Sequence, residues 1–209
     1  MSEPLFPLFL KLRGRRVLLV GGGPVAASKL APLVAAGADV TVVAPEVVPE
    51  IAAAARVRIE RRPFVAADLD GAWLVVAAAP PEVNREVSLA AEERRLFVNA
   101  VDDPRHASAY TGGVFGKGGV TVALSTGGEA PALAGLLREG LEALVPDDVS
   151  RWRRAARLLK RLQRRKGTPM AQRRPQLLRA LNRLYEARGQ HHDASAIGIA
   201  AVAGAGTSP

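Results

Sequence analysis

The sequence contains no cysteine. That absence excludes disulfide scaffolds, thiolate zinc sites, iron–sulfur clusters and cysteine nucleophiles, and it fits a reducing compartment. Aromatic residues make up only 4% of the 209 positions, so the core has to be built from Ala, Val and Leu. Long apolar runs are missing too. The longest weakly apolar stretches, about Ala72–Pro81 and Ala194–Gly206, fall short of the roughly 20 residues that a membrane-spanning helix needs. Met1-Ser2-Glu3-Pro4 has neither the basic start nor the apolar run of a signal peptide. The expectation is a cytoplasmic protein without a membrane partner. No cluster of metal-ligating residues stands out, and no metal site is expected.

What is present is ordinary for a globular chain: 48% hydrophobic and 23% charged residues, at a length that suits one domain or two small ones. The charge is unevenly placed. Between Arg151 and Gln190 there are 14 Lys/Arg against the single acid Glu186, a net charge of +13, whereas the remainder holds 15 basic and 19 acidic residues. A mildly acidic body thus carries a strongly basic C-terminal region. Such a region suits a polyanionic partner: nucleic acid, a membrane surface, or a small ligand rich in carboxylates or phosphates.

Along the chain, Val17–Val20 is a short apolar run of the kind found in buried parallel strands. Gly21, Gly22 and Gly23 follow, then a helical pattern from Pro24 to about Ala36, with Gly37 placed to end it in a left-handed residue. Val40–Val43 is a second strand leading to Ala44-Pro45, which completes a β-α-β unit. Val57–Ile59, Trp73–Ala78 and Leu96–Asn99 read as further strands, with a helix over Glu82–Arg94. Strands alternating with helices, several apolar throughout, predict an α/β fold with a doubly wound parallel sheet over residues 1–112. Beyond it, glycines at 112, 113, 116, 118 and 119 read as a turn-rich stretch before a strand at Val120–Ser125. A helix is expected over Pro131–Leu144, and two basic helices over 149–165 and 171–188. The Ala/Gly/Ser-rich segment from His191 reads as a loose tail, with His191-His192 a solvated pair.

Gly21-x-Gly23-x-x-Ala26, between a strand and a helix, is a dinucleotide-type phosphate loop. Its glycines permit the tight turn and close approach to a pyrophosphate. The helix start offers free N–H groups, and the small Ala26 lets helix pack on strand. The loop Gly21, Gly22, Gly23, Pro24 and Val25 is therefore the candidate cofactor site. An acid that binds the adenosine ribose belongs about 20 residues further on. Glu46, after Pro45, is the nearest, and it reads equally as a solvated helix-start acid. No Arg or Lys lies between Gly37 and Arg56 to receive a 2′-phosphate, which favours NAD over NADP.

Asn99-Ala-Val-Asp102-Asp103-Pro104 follows the fifth strand, where open α/β sheets line their ligand crevice. A carboxylate there suits general-base work, and it suits a turn before proline equally well. His106, close by, is a candidate assistant in acid–base chemistry or an exposed loop residue. Ser125-Thr126-Gly127-Gly128 precedes a helix, so its hydroxyls and glycine amides either hold anionic oxygens or cap the turn.

These residues in this order resemble the precorrin-2 dehydrogenase family, the NAD-dependent siroheme synthase domain. The resemblance runs over about residues 5–150. It rests on Pro7–Arg15 with Val17–Gly23, on Lys29, on Ala36-Gly37-Ala38 and on Val40–Glu46. It continues in Phe97–Pro104, in Ser125–Pro131, and in Leu136–Glu139 with Leu141-Glu142. It implies a Rossmann domain (1–112), a small dimerisation domain (113–148) and a helical domain (149–190), followed by the tail 191–209, in an intertwined homodimer. It implies NAD-dependent oxidation of precorrin-2 to sirohydrochlorin, with ferrochelation a second activity in some members. It assigns NAD contacts to Gly21–Val25 and to Pro45 and Glu46, catalysis to Asp102, and tetrapyrrole contacts to Ser125, Thr126, Gly127 and Gly128. Tyr110–Gly113 and Gly116–Gly119 depart from the family pattern, so substrate contacts there do not carry over. The basic helices then face a substrate with many carboxylates, and no nucleic-acid partner is expected. The rival from another class is a non-catalytic NAD-sensing module that binds nucleic acid through those helices. It leaves Asn99–Pro104 and Ser125–Pro131 unexplained.

Overall fold

A computed structural model of the chain describes residues 5–189, with side chains as far as Arg183. The expected tail 191–209 and the His191-His192 pair lie outside the described residues. By internal packing the chain falls into two compact units. The first runs to Thr111 and includes Gly127–Glu129; the second holds Gly112–Thr126 and the chain from Ala130 onward.

The first unit is a five-stranded parallel sheet. Its strands are β1 (Arg16–Val20), β2 (Asp39–Val43), β3 (Val57–Glu60), β4 (Leu74–Ala77) and β5 (Val98–Ala100), in the order β3-β2-β1-β4-β5. This is a Rossmann-like half with its switch point between β1 and β4. Alternation along β1 shows why it sits at the centre. Val17 and Leu19 pack into one cluster with Ala26, Leu30 and Leu33 of helix α1 (Pro24–Ala35). Leu18 and Val20 pack into the other, with Val87 and Ala91 of α3 (Pro81–Glu93). A strand buried on both faces has to be apolar at every position, and Val17–Val20 are 0–2% exposed. Burying each such side chain is worth about 1.5–3 kcal/mol.

Helix starts follow a simple rule here. α1, the short α2 (Pro49–Ala52) and α3 each open on a proline in the first turn, where no hydrogen bond from its nitrogen is needed. Gly37 (φ +77°) ends the α1 region in the left-handed conformation, as expected from its position. The sequence reading missed α2 and a 3₁₀ turn at Ala66–Leu69. Both are single turns, too short to carry a period. Trp73 lies outside β4, and its ring stacks on the Arg15 guanidinium at 3.5 Å while remaining exposed.

The second unit opens with an antiparallel hairpin, β6 (Gly113–Lys117) and β7 (Val120–Leu124). The turn-rich expectation for 112–119 is thereby corrected: a strand runs through it. Gly118 and Gly119 (φ +55° and +79°) form the two-residue connection, with both residues left-handed. That geometry matches the twist of a hairpin and calls for glycine. Gly113 sits where the strand is closely covered. A Cβ on Gly113 would lie 3.1 Å from the Ala134 carbonyl of α4 (Pro131–Leu144). Helices α5 (Val149–Arg165) and α6 (Met170–Gly189) follow. Gln163 is buried between them, its Nε2 donating to Arg173 O (3.1 Å) and to Gln176 Oε1 (2.9 Å). Among the described residues no helix is long and apolar enough to cross a membrane.

Candidate nucleotide site and strand-end carboxylate

The glycine loop is shaped by its neighbours on both sides. Gly21 (φ +123°) accepts no side chain, because a Cβ would collide with the Ala78 carbonyl at the end of β4. A Cβ on Gly22 would collide with the Glu46 carbonyl after β2. Hydrogen bonds lock the loop in place: Gly21 N donates to Val43 O (3.0 Å), and Val48 N donates to Gly22 O (2.8 Å). Gly23 differs, since a Cβ there meets nothing within 4 Å. It is the residue that caps α1, without any side-chain hydrogen bond and with no acidic residue in the first turn. The helix start therefore has no side-chain cap and keeps its positive dipole end uncompensated, which is what an incoming pyrophosphate requires. Ala26 is wholly buried, as helix–strand contact demands. Pro24 and Val25 are exposed at the helix start.

Pro45 and Glu46 follow β2, and both are exposed. Asp102 follows β5. All these candidates thus stand at the C-terminal edge of one sheet, on β1, β2 and β5. Asp102 is exposed and holds φ +59°, one of three non-glycine residues among those described with positive φ. Its carboxylate makes no hydrogen bond or ion pair among the described residues. Aspartate tolerates this backbone region better than most residues, and single strained positions of this kind cluster at working sites.

The turn beneath Asp102 is braced. Val101 N donates to Ala77 O (2.9 Å). Buried Asn84 of α3 accepts from Ala79 N (2.9 Å) and reaches Val101 O (3.5 Å), so the exits of β4 and β5 are tied together. Asp103 Oδ2 lies 2.7 Å from His106 Nδ1, both half-buried. His106 therefore partners Asp103, not Asp102. Buried Asn99 donates to Ala109 O (2.9 Å), and Tyr110 donates to Pro104 O (2.8 Å). Gly128 (φ +81°) packs beside this loop, its would-be Cβ 3.4 Å from Pro104 and from the Tyr110 ring. Asn84 and the Asp103–His106 pair were missed as site supports, because a lone buried amide carries no sequence signal.

Ser125 and Thr126 belong to the second unit, Gly127 and Gly128 to the first. Ser125 is exposed, while Thr126 Oγ1 accepts from Ala130 N (3.3 Å) and steadies the entry to α4. No group of three or more His, Cys, Asp or Glu is placed to hold a metal ion among the described residues. Away from the glycine loop, Asp68 forms a two-pronged pair with Arg62 (2.6 and 2.9 Å) and accepts from Val65 N (3.0 Å). The Arg62 hydrogen bonds hold its carboxyl below the usual carboxylate range, against the opposing effect of burial.

An uncapped helix start on a glycine turn, at the switch point of a parallel sheet, defines a dinucleotide-binding α/β domain. Comparison with known proteins agrees. The family model described as "Putative NAD(P)-binding" matches residues 8–113. Siroheme synthase 3 of Aeromonas hydrophila is 49% identical over 144 residues, covering 67% of this chain and 31% of that protein. Siroheme synthase 2 of Cronobacter sakazakii is 42% identical over 172 residues, covering 80% and 38% respectively. The chain thus spans about a third of the length of these curated relatives. The solved structure of SirC, a precorrin-2 dehydrogenase, superposes with a TM-score of 0.66 at 25% identity, covering 84% of this chain and 88% of that one. The chain belongs to this NAD(P)-binding family, and it is similar to siroheme synthases and to a precorrin-2 dehydrogenase.

Proposed function

We propose that the chain is an NAD-dependent dehydrogenase that converts precorrin-2 to sirohydrochlorin. The observation that carries this reading is the edge of the parallel sheet, where the open start of α1, exposed Glu46 and the unbonded carboxylate of Asp102 converge on one side. NAD, when bound, supplies the hydride acceptor. The amides of Gly22 and Gly23 with the α1 start hold its pyrophosphate, and Glu46 accepts from the ribose hydroxyls. The oxidation removes two hydrogens from the macrocycle, one as hydride to the nicotinamide and one as a proton. Asp102 takes that proton as general base, a role worth about 10²–10⁴ in rate.

Ser125 and Thr126, with the Gly127-Gly128 amides, are proposed tetrapyrrole contacts. Residues 113–148 are proposed as the dimerisation region and 149–190 as a basic helical domain. A homodimer is supported by α4, which leaves Leu133, Leu136 and Leu144 49–68% exposed along its length, an apolar surface of the kind that partners cover. Ferrochelation is proposed as a second activity of the same site, since the macrocycle itself supplies the ligating nitrogens.

The test is absorbance on mixing purified protein, NAD and freshly made precorrin-2 without metal. NADH together with the sirohydrochlorin spectrum is expected, and ferrous ion added afterwards then reads out chelation. Absence of NADH from protein that binds NAD would remove the dehydrogenase reading.

A further inference from the structure

Buried Asn99, on β5, closes the loop 101–111 that carries Asp102, and it uses both ends of its amide to do so. Its Nδ2 donates to Ala109 O (2.9 Å), and its Oδ1 accepts from Thr111 Oγ1 (3.4 Å). Beside it, Val98 O accepts from Ser108 N and Ala109 N (both 2.9 Å), and Val98 N donates to Ser108 Oγ (2.9 Å). The returning arm of the loop is thus held to β5. One further contact reaches out of the loop: Lys29 Nζ, on α1, donates to Thr111 Oγ1 (3.3 Å) across 82 positions of sequence. Lys29 is half-buried and forms no ion pair among the described residues.

The donors and acceptors give this chain of bonds a direction. An ammonium only donates, and a hydroxyl has a single proton. With Lys29 donating to it, Thr111 Oγ1 has that proton free for Asn99 Oδ1, which leaves the amide nitrogen for Ala109 O. Hydrogen bonds aligned in series in this way strengthen one another. The series starts on the helix that opens at Gly23 and ends on the loop of Asp102.

We propose that Lys29 is a positioning residue, which through Thr111 and Asn99 fixes the Asp102 loop relative to α1. The mechanical link stands on the hydrogen bonds alone, whereas its effect on turnover rests on the function proposed above. Little stability depends on it, because the Lys29–Thr111 contact lies at the surface. Its effect falls on where the carboxylate stands, and a displacement of about 1 Å can cost about a hundredfold in rate.

The experiment is a double-mutant cycle on the full chain with Lys29→Met and Thr111→Val, read by amide hydrogen exchange and by NADH formation from precorrin-2 and NAD. Exchange at Ser108 and Ala109 should quicken several-fold in Lys29→Met, with the amides of β1 and β4 unaffected. Each single variant should lose about tenfold or more in kcat, with the KM for precorrin-2, the NAD affinity and the melting temperature preserved. The double variant should be no slower than Thr111→Val alone, because the two residues act in series. Lys29→Arg and Thr111→Ser, which keep a charged donor and a hydroxyl, should recover most of the loss. Additive losses in the double variant would overturn the proposal. So would unchanged exchange at Ser108 and Ala109 in Lys29→Met, or a raised KM with kcat intact, which would make the ammonium a direct substrate contact. A fall in melting temperature with faster exchange throughout the sheet would make Lys29 merely structural and overturn it as well. An unmodified chain that forms no NADH, while Lys29→Met still frees Ser108 and Ala109, would refute the dehydrogenase reading and leave the link in place.

Discussion

Asp103 Oδ2 lies 2.7 Å from His106 Nδ1, and the adjacent Asp102 carboxylate has no partner among the described residues. Two neighbouring acids therefore do different work. Asp103 is occupied in closing the turn, and Asp102 projects from it in a left-handed backbone conformation. His106→Ala should loosen the turn without removing the reacting group. The expected outcome is a loss of kcat of about tenfold, well under the loss of a general base itself, with NAD affinity unchanged. His106→Asn, whose amide can also donate to Asp103, should recover part of the loss in steady-state assays.

The glycine loop makes a prediction about three adjacent residues. Gly21→Ala places a Cβ against the Ala78 carbonyl at φ +123°, and should destabilise the fold by more than about 2 kcal/mol. Gly23→Ala meets nothing within 4 Å in the protein. It should leave the melting temperature nearly unchanged but weaken NAD by about tenfold, by occupying the path of the pyrophosphate. Thermal unfolding and NAD titration on the same samples separate the two effects.

In the proposed function, Glu46 is the residue that distinguishes the two dinucleotides. Glu46→Ala should weaken NAD by about tenfold, through loss of charged hydrogen bonds to the ribose, with no change in stability because the side chain is exposed. Discrimination against NADP should fall at the same time. Affinities measured for both cofactors check this, and an unchanged NAD affinity would make Glu46 a solvated acid only.

Asp68 carries a pH dependence of stability. Its carboxyl is held below the usual range, first by the Arg62 hydrogen bonds. Its contribution is therefore fully present above the unfolded carboxylate value of about 4, and is lost as pH falls through the lower folded value. Asp68→Asn should lower the melting temperature by a few degrees at neutral pH. The gap to the unmodified protein should close as the pH drops below about 4, measured by thermal unfolding across pH.

Much of the sheet was legible because its strands are buried on both faces, so Val17–Val20 and Leu74–Ala77 are apolar at every position. Helix starts were legible from Pro24 and Pro131, and the end of α1 from Gly37. The strand Gly113–Lys117 was not, because a glycine that permits close cover by α4, as Gly113 does, looks the same in sequence as a glycine in a turn. The phosphate loop was readable from local spacing. That Asp102 is unbonded while Asp103 is paired was not, since both acids suit a turn before Pro104. The packing of α5 on α6 involves Gln163, which bonds to residues ten and thirteen positions away, contacts that no local pattern shows.

The central claim is that Asp102 is the base in an NAD-dependent oxidation. It is tested most directly by following NADH formation from precorrin-2 and NAD with the unmodified chain and with Asp102→Asn, alongside NAD titrations of both. The account predicts NADH from the unmodified chain and a loss of at least about a hundredfold in the variant, with NAD affinity and melting temperature preserved. Turnover in the variant near that of the unmodified protein would contradict it.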